Sequence, residues 1–178
     1  MAHLRPLPVD PLAEAKRQWQ AHGWHDAAEG MSVVVSIMRA QQLLMARIDA
    51  ALKPFGLSFA RYELLRLLAF SREGRLPLAS VVARLQVHAT SVSSTAERLV
   101  RDGYIRREPH PHDGRAAMLA LTAEGRTLVE QATEVLNGEV FTHPGINRDD
   151  ATQLVSIVAR MRKNAGDFAD PRPQPEPL

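Results

Sequence analysis

The chain has 178 residues, 45% of them apolar and 24% charged, with a formal net charge of +2 and no cysteine. That composition allows one packed domain with helical extensions, and no run approaches the ~20 apolar residues that cross a bilayer. The missing thiols exclude a disulfide framework, thiolate zinc sites and oxidant sensing through cysteine, and the near-balanced charge excludes a uniformly basic coat for nucleic acid.

The N-terminal stretch MAHLRPLPVDP holds no apolar signal core, so a soluble cytoplasmic protein is expected. Residues 1–9 read as loose. Asp10 and Pro11 then form a helix start, with Asp10 at the N-cap, and that helix carries Ala13, Ala15 and Trp19 before stopping at His22-Gly23. A second helix is predicted from a cap at Ser32, after Gly30, to Leu52. It is apolar on most faces and expected to be largely buried. Pro54 and Gly56 end it. Ser58 caps a third helix, whose Phe59, Tyr62, Leu65, Leu68 and Ala69 recur at helical spacing.

Residues 72–77 form a turn with room for a short extended stretch. Then come a short helix over 78–85, a turn over 86–88, and a helix over 90–101 closed by Gly103. Residues 104–108 and 116–121, joined by a Pro/His/Asp/Gly-rich turn, read as a β-hairpin. Thr122 caps a helix to Leu136, and His143-Pro144-Gly145 breaks the pattern. Asn147 caps a last helix to Lys163 with Asp149 and Asp150 in its first turn. The tail from Asp170, rich in proline, is expected to be disordered.

Helix, helix, short helix, turn, helix, β-hairpin is the order of a winged helix-turn-helix. The expected fold class is therefore mainly α with a small β-wing. The expected division is an N-terminal helical arm (1–56), a winged helix-turn-helix (57–122), a C-terminal helical arm (123–166) and the tail (167–178).

The helix over 90–101 has the register of a recognition helix. Val92, Ala96 and Leu99 fall at i, i+4 and i+7 and can pack inward. Thr90, Ser91, Ser94 and Arg98 lie on other faces, where small hydroxyl side chains let a helix sit deep in a major groove ~12 Å wide. Positive charge is local here. Arg98, Arg101, Arg106, Arg107 and Arg115 stand against Asp102, Glu108 and Asp113, with His110 and His112 between. On composition alone, such a run is equally a solvated surface.

Five segments together carry a resemblance: Gly56-Leu-Ser, Leu85-x-Val-x-x-Thr-Ser-Val-Ser, Arg98-Leu-x-x-x-Gly-Tyr-Ile-Arg-Arg107, Asp113-Gly-Arg115 and Leu121-Thr-x-x-Gly125-Arg. In unbroken order across residues 30–163, they resemble the MarR family of bacterial regulators. The resemblance implies a homodimer with interlocked terminal helices, so that both arms are dimerisation helices, and one winged helix per protomer reading successive major grooves of double-stranded DNA. It also implies that Asp113 and Arg115 are the wing motif, with Arg115 entering a minor groove whose narrowness concentrates negative potential. Where many members have Ser and Pro, this chain has His88 and Ala89. Ser94 stands where a large basic residue is common, so base preference is not expected to transfer from relatives.

The N-terminal helix with Trp19 is similar to the urate-responsive branch of that family. Trp19, Glu63 and Arg107 match its pocket, with Glu63 in place of an aspartate and Thr95 at the position of a second arginine. The resemblance implies a small aromatic or carboxylate effector that shifts the population of DNA-competent states. Trp19 has a second reading as a packing anchor, and Glu63 with Arg107 as a structural ion pair. His22 and His25 are three apart across a glycine, which is weak zinc spacing and fits a polar turn better. Neither a metal nor a cofactor is expected.

The sequence holds no Gly-rich phosphate loop, no nucleophile elbow and no metal-ligand pair on one helix, so no enzyme is expected. A winged helix used only for protein contacts is the alternative. It would be expected to lack both the charged wing and the polar recognition helix.

Overall fold

The computed structural model describes residues 7–110 and 117–168, so the predicted wing-tip residues Asp113 and Arg115, and the tail from Asp170, lie outside the described residues. The chain falls into two compact bodies, one ending at Arg47 and the other beginning at Ile48.

In the first body, α1 (Pro11–Ala21) starts as its sequence requires. The Asp10 carboxylate accepts from the Leu12 amide at 2.9 Å, and Pro11 occupies the first helical position. Gly23 takes φ 81°, the left-handed conformation that ends the helix. The link to the next helix is aromatic. The Trp19 and Trp24 rings meet edge-on at 5.4 Å, and His22 Nδ1 donates to the Gln18 carbonyl at 2.8 Å.

The next helix, α2 (His25–Leu52), begins earlier than the sequence reading placed it, running through Gly30 and leaving Ser32 inside the helix instead of at its cap. A glycine inside a helix costs about 1 kcal/mol, which a helix of 28 residues absorbs. Burial differs from expectation too. Within this chain Val33, Val34, Ile37, Met38, Leu43 and Leu44 are exposed. Apolar character predicts that a face will be covered; it does not say whether the same chain covers it.

The second body holds the winged helix. The 3₁₀ turn Lys53–Phe55 and left-handed Gly56 (φ 63°) end α2. Next is α3 (Phe59–Phe70), capped by Ser58, whose hydroxyl accepts from the Arg61 amide at 3.4 Å. After it come β1 (Arg75–Pro77), α4 (Leu78–Leu85), α5 (Ala89–Arg101), β2 (Ile105–Pro109), β3 (Ala117–Leu121) and α6 (Ala123–Leu136). A π-helical turn (Asn137–Phe141) and α7 (Arg148–Asn164) complete the described chain. The predicted short extended stretch is a third strand. The sheet runs β1-β3-β2, antiparallel throughout, pairing Leu76 with Leu119 and Arg107 with Leu119 from opposite sides.

The core collects one face of each element: Leu64, Leu65 and Leu68 from α3, Val81 from α4, Leu99 from α5, Ile105 and Leu119 from the sheet, and Val129 and Leu136 from α6. Each fully buried aliphatic side chain contributes roughly 1.5–3 kcal/mol of transfer free energy. Polar contacts fix α3 on α6: Tyr62 Oη lies 3.1 Å from Thr133 Oγ1, and Arg66 Nη1 donates to that oxygen at 3.3 Å. No described residue of α7 is buried, and Leu154, Val155, Ile157 and Met161 stand exposed. None of the described helices is long and apolar enough to cross a membrane.

Candidate nucleic-acid interface

The reading element is built from its underside. Val92, Ala96 and Leu99 are 2%, 0% and 0% exposed, so the predicted inward face of α5 is the buried one. The C-terminus of the helix is tied down by Asp102, which pairs with Arg61; Arg61 also donates to the Gly56 carbonyl at 3.0 Å. One guanidinium thus links the start of α3 to the end of α5. Between α4 and α5 the chain turns sharply at Gln86, which takes φ 52°. His88 stands at the N-cap of α5 without a side-chain capping bond, and the helix begins at Ala89.

With that face buried, a rotation of about 100° per residue fixes the opposite one. Thr90, Ser94, Glu97 and Arg101 form the outermost stripe, and all four are exposed. Ser91 and Arg98, also exposed, lie to one side of it. Arg101 is the residue that the sequence reading left out of the candidate contacts, although counting around the helix from Thr90 finds it. Thr90 and Arg101 are about 16 Å apart along the axis, so the hydroxyls stand toward the N-terminal end of the helix and the arginines toward its C-terminal end.

Ion pairing separates the arginines further. Arg106 Nε lies 2.6 Å from Glu108, and Arg107 lies 3.9 Å from Glu97. Arg75 is shared between Glu73 and Glu108, the latter at 3.9 Å. Arg98 and Arg101, by contrast, make no side-chain hydrogen bond or ion pair among the described residues. Their charge is available to an anion. Asp113 and Arg115, the predicted wing-tip contacts, lie outside the described residues.

The residues predicted to bind an effector divide by environment. Trp19, half-buried on α1, belongs to the first body and packs on Trp24. In the second body, Arg107 is exposed on β2, with Glu97 as its acidic neighbour; no ion pair joins it to Glu63 among the described residues. Glu63 lines a cavity of about 120 Å³ with Ala60, Leu64, Leu85, Val87, Ser91, Val92 and Thr95. Its carboxylate has no cationic partner among the described residues, and burial pushes its pKa above the usual carboxylate value.

A raised folded-state pKa means the proton is held more tightly in the folded chain. The associated stability is present below the unfolded pKa of about 4.3 and is lost as pH rises through the elevated folded value. Glu63→Gln, neutral at every pH, is therefore expected to raise the melting temperature at pH 7 and to leave it nearly unchanged at pH 4. Paired thermal melts measure this, and a destabilised variant at pH 7 would contradict it.

The comparisons with known proteins agree with this geometry. A model described as MarR family matches residues 55–116, from the Gly56 turn to the wing. The crystal structure of Sco5413, a MarR family transcriptional regulator from Streptomyces coelicolor, is 41% identical and superposes with a TM-score of 0.71, covering 80% of this chain and 99% of that one. Sco3205 from the same organism, a MarR family regulator solved in complex with DNA, is 25% identical with a TM-score of 0.68, covering 78% and 92%. The HTH-type transcriptional regulator PecS of Dickeya dadantii (strain 3937) is 24% identical over 86% of this chain and 93% of its own length. With 41% identity to a MarR family regulator covered almost in full, the chain belongs to the MarR family of transcriptional regulators.

Proposed function

We propose that this chain is a ligand-responsive cytoplasmic repressor that binds a pseudo-palindromic operator as a homodimer. The observation that carries the reading is α5: the exposed hydroxyls of Thr90, Ser91 and Ser94, and Arg98 and Arg101 without an ion pair among the described residues, standing with Glu97 on a helix whose other face is buried. Thr90, Ser91 and Ser94 contact base edges or the phosphates beside them, Arg98 contacts a phosphate, and Arg115, held by Asp113, reaches the minor groove.

Residues 57–122 are the reading unit in this proposal, with 1–56 and 123–166 holding two protomers together. The exposed apolar side chains of α2 and α7 support that division, since contiguous apolar surface on a soluble chain marks an interface. A two-fold dimer places its half-sites about one turn (~10 bp) apart. Control comes from a small aromatic effector with different affinities for the DNA-competent and incompetent states.

A gel-shift assay on the region upstream of the chain's own gene tests the reading. Wild type is expected to shift it with steep salt dependence, because phosphate contacts release counterions. The double variant Arg98→Ala, Arg115→Ala is expected to lose the shift, and wild-type affinity in that variant would sink the DNA-reading model.

A further inference from the structure

We propose that the cavity between α3 and α5 is a binding site for a small, flat, singly positive ligand, such as an aryl amidine, held by the Glu63 carboxylate and the hydroxyls of Ser91 and Thr95. This deepens the effector part of the proposed function by assigning the ligand its charge.

Size comes first. A cavity of about 150 Å³ holds a benzene molecule, and this one, at about 120 Å³, suits a single ring whose polar end reaches the mouth. Its walls are aliphatic apart from Glu63, Ser91 and Thr95. Aliphatic walls favour a flat apolar body and set no charge preference; the polar groups set it. Among the described residues neither lysine nor arginine lines the cavity, and the position where the resemblance would place an arginine is Thr95, itself a lining residue. The only ionisable liner among the described residues is an acid.

That acid is short of solvation. Its carboxylate is half-withdrawn from water without a cation among the described residues, and burial raises its pKa. An arriving cation supplies the missing counter-charge and restores the ionised form. An arriving carboxylate does the reverse, setting two anions side by side so that one must take up a proton. The cavity thus favours the sign of charge opposite to the carboxylate effector that the sequence resemblance implied. The hydroxyls accept from the N–H groups of an amidine, an arrangement suited to a planar two-nitrogen head.

The site also sits against the reading element. Ser91 lies in the first turn of α5, exposed to a DNA partner and lining the cavity. A ligand here bears directly on the seat of the recognition helix within one winged helix.

The test uses three near-isosteric probes on the full chain without DNA: benzamidine, benzamide and benzoate, titrated while following the methyl resonances of Leu64, Leu85, Val87 and Val92. Benzamidine is expected to shift those methyls and to bind at least tenfold more tightly than benzoate. Glu63→Gln is expected to erase the preference for benzamidine over benzamide, and Glu63→Asp to keep it. Equal or tighter binding of benzoate to wild type, or benzamidine shifts confined to other methyls, would overturn the inference without needing a variant to fold. Failure of the upstream shift assay would count against the regulatory reading alone, because these titrations contain no DNA.

Discussion

Gly125→Ala is expected to destabilise the winged helix by about 3 kcal/mol or more, lowering its melting temperature by roughly 6–12 °C. A Cβ at position 125 would stand 2.1 Å from the Tyr104 carbonyl oxygen and 2.9 Å from its carbon, with Leu121 Cδ1 at 3.0 Å. The nearest obstacle is main chain, so no rotamer change relieves it. Nor can Tyr104 easily retreat. Its carbonyl accepts from the Thr122 amide at 3.1 Å and from the Thr122 hydroxyl at 3.0 Å. The same hydroxyl accepts from the Gly125 amide at 3.0 Å, capping α6. The Leu-Thr-x-x-Gly motif is thus one device that presses the first turn of α6 onto the entry to the wing. Gly138→Ala is the control, since a Cβ there meets nothing within 4 Å. Melts at equal protein concentration compare the two, and an unchanged midpoint for Gly125→Ala would refute the close-approach argument.

The caps at Asp10, Ser58, Thr122 and Asn147 were legible because capping chemistry is local: a side-chain oxygen reaches an amide two or three residues on, and the short sequence window contains both. The inward face of α5 was legible for the same reason, its three apolar positions recurring at the helical period. What lay beyond reach was mostly non-local. Strand β1 is three residues long, and only its pairing with β3 makes it a strand. The helical path through Gly30 depends on the length of α2, which outweighs one unfavourable residue. The cavity under Glu63 gathers side chains from α3, from the end of α4 and the turn after it, and from α5; no spacing rule joins Glu63 to Val87 or Thr95, and only the family resemblance pointed to Glu63 and Thr95 as positions of one pocket. Arg101 is different, since its place in the exposed stripe follows from Thr90 by arithmetic on the helix. It was overlooked because the arginines of this run look alike in sequence and separate only by their ion pairs.

That separation leads to a further expected result, in operator binding. Arg101→Ala should weaken binding to every sequence by a similar factor, whereas Ser94→Ala should weaken binding chiefly at the base pair beneath it. A charge-assisted hydrogen bond is worth about 1.5–3 kcal/mol, so losing one per protomer amounts to a hundredfold or more in the proposed dimer. Each phosphate contact also contributes about 0.9 to the slope of log affinity against log salt, so Arg101→Ala in both protomers should flatten that slope by about 2. Ser94 carries no charge, and its substitution should leave the slope as it is. Fluorescence anisotropy on the operator, on single-base variants of it and on unrelated duplex, each over a salt series, distinguishes the two. If Arg101→Ala changed base preference while keeping the wild-type slope, Arg101 would be reading a base, and the division of α5 into a hydroxyl end for sequence and an arginine end for backbone would be wrong. The unpaired state of Arg101 argues for the phosphate. Nothing among the described residues neutralises its charge, and a DNA backbone passing the C-terminal end of a groove-bound helix would.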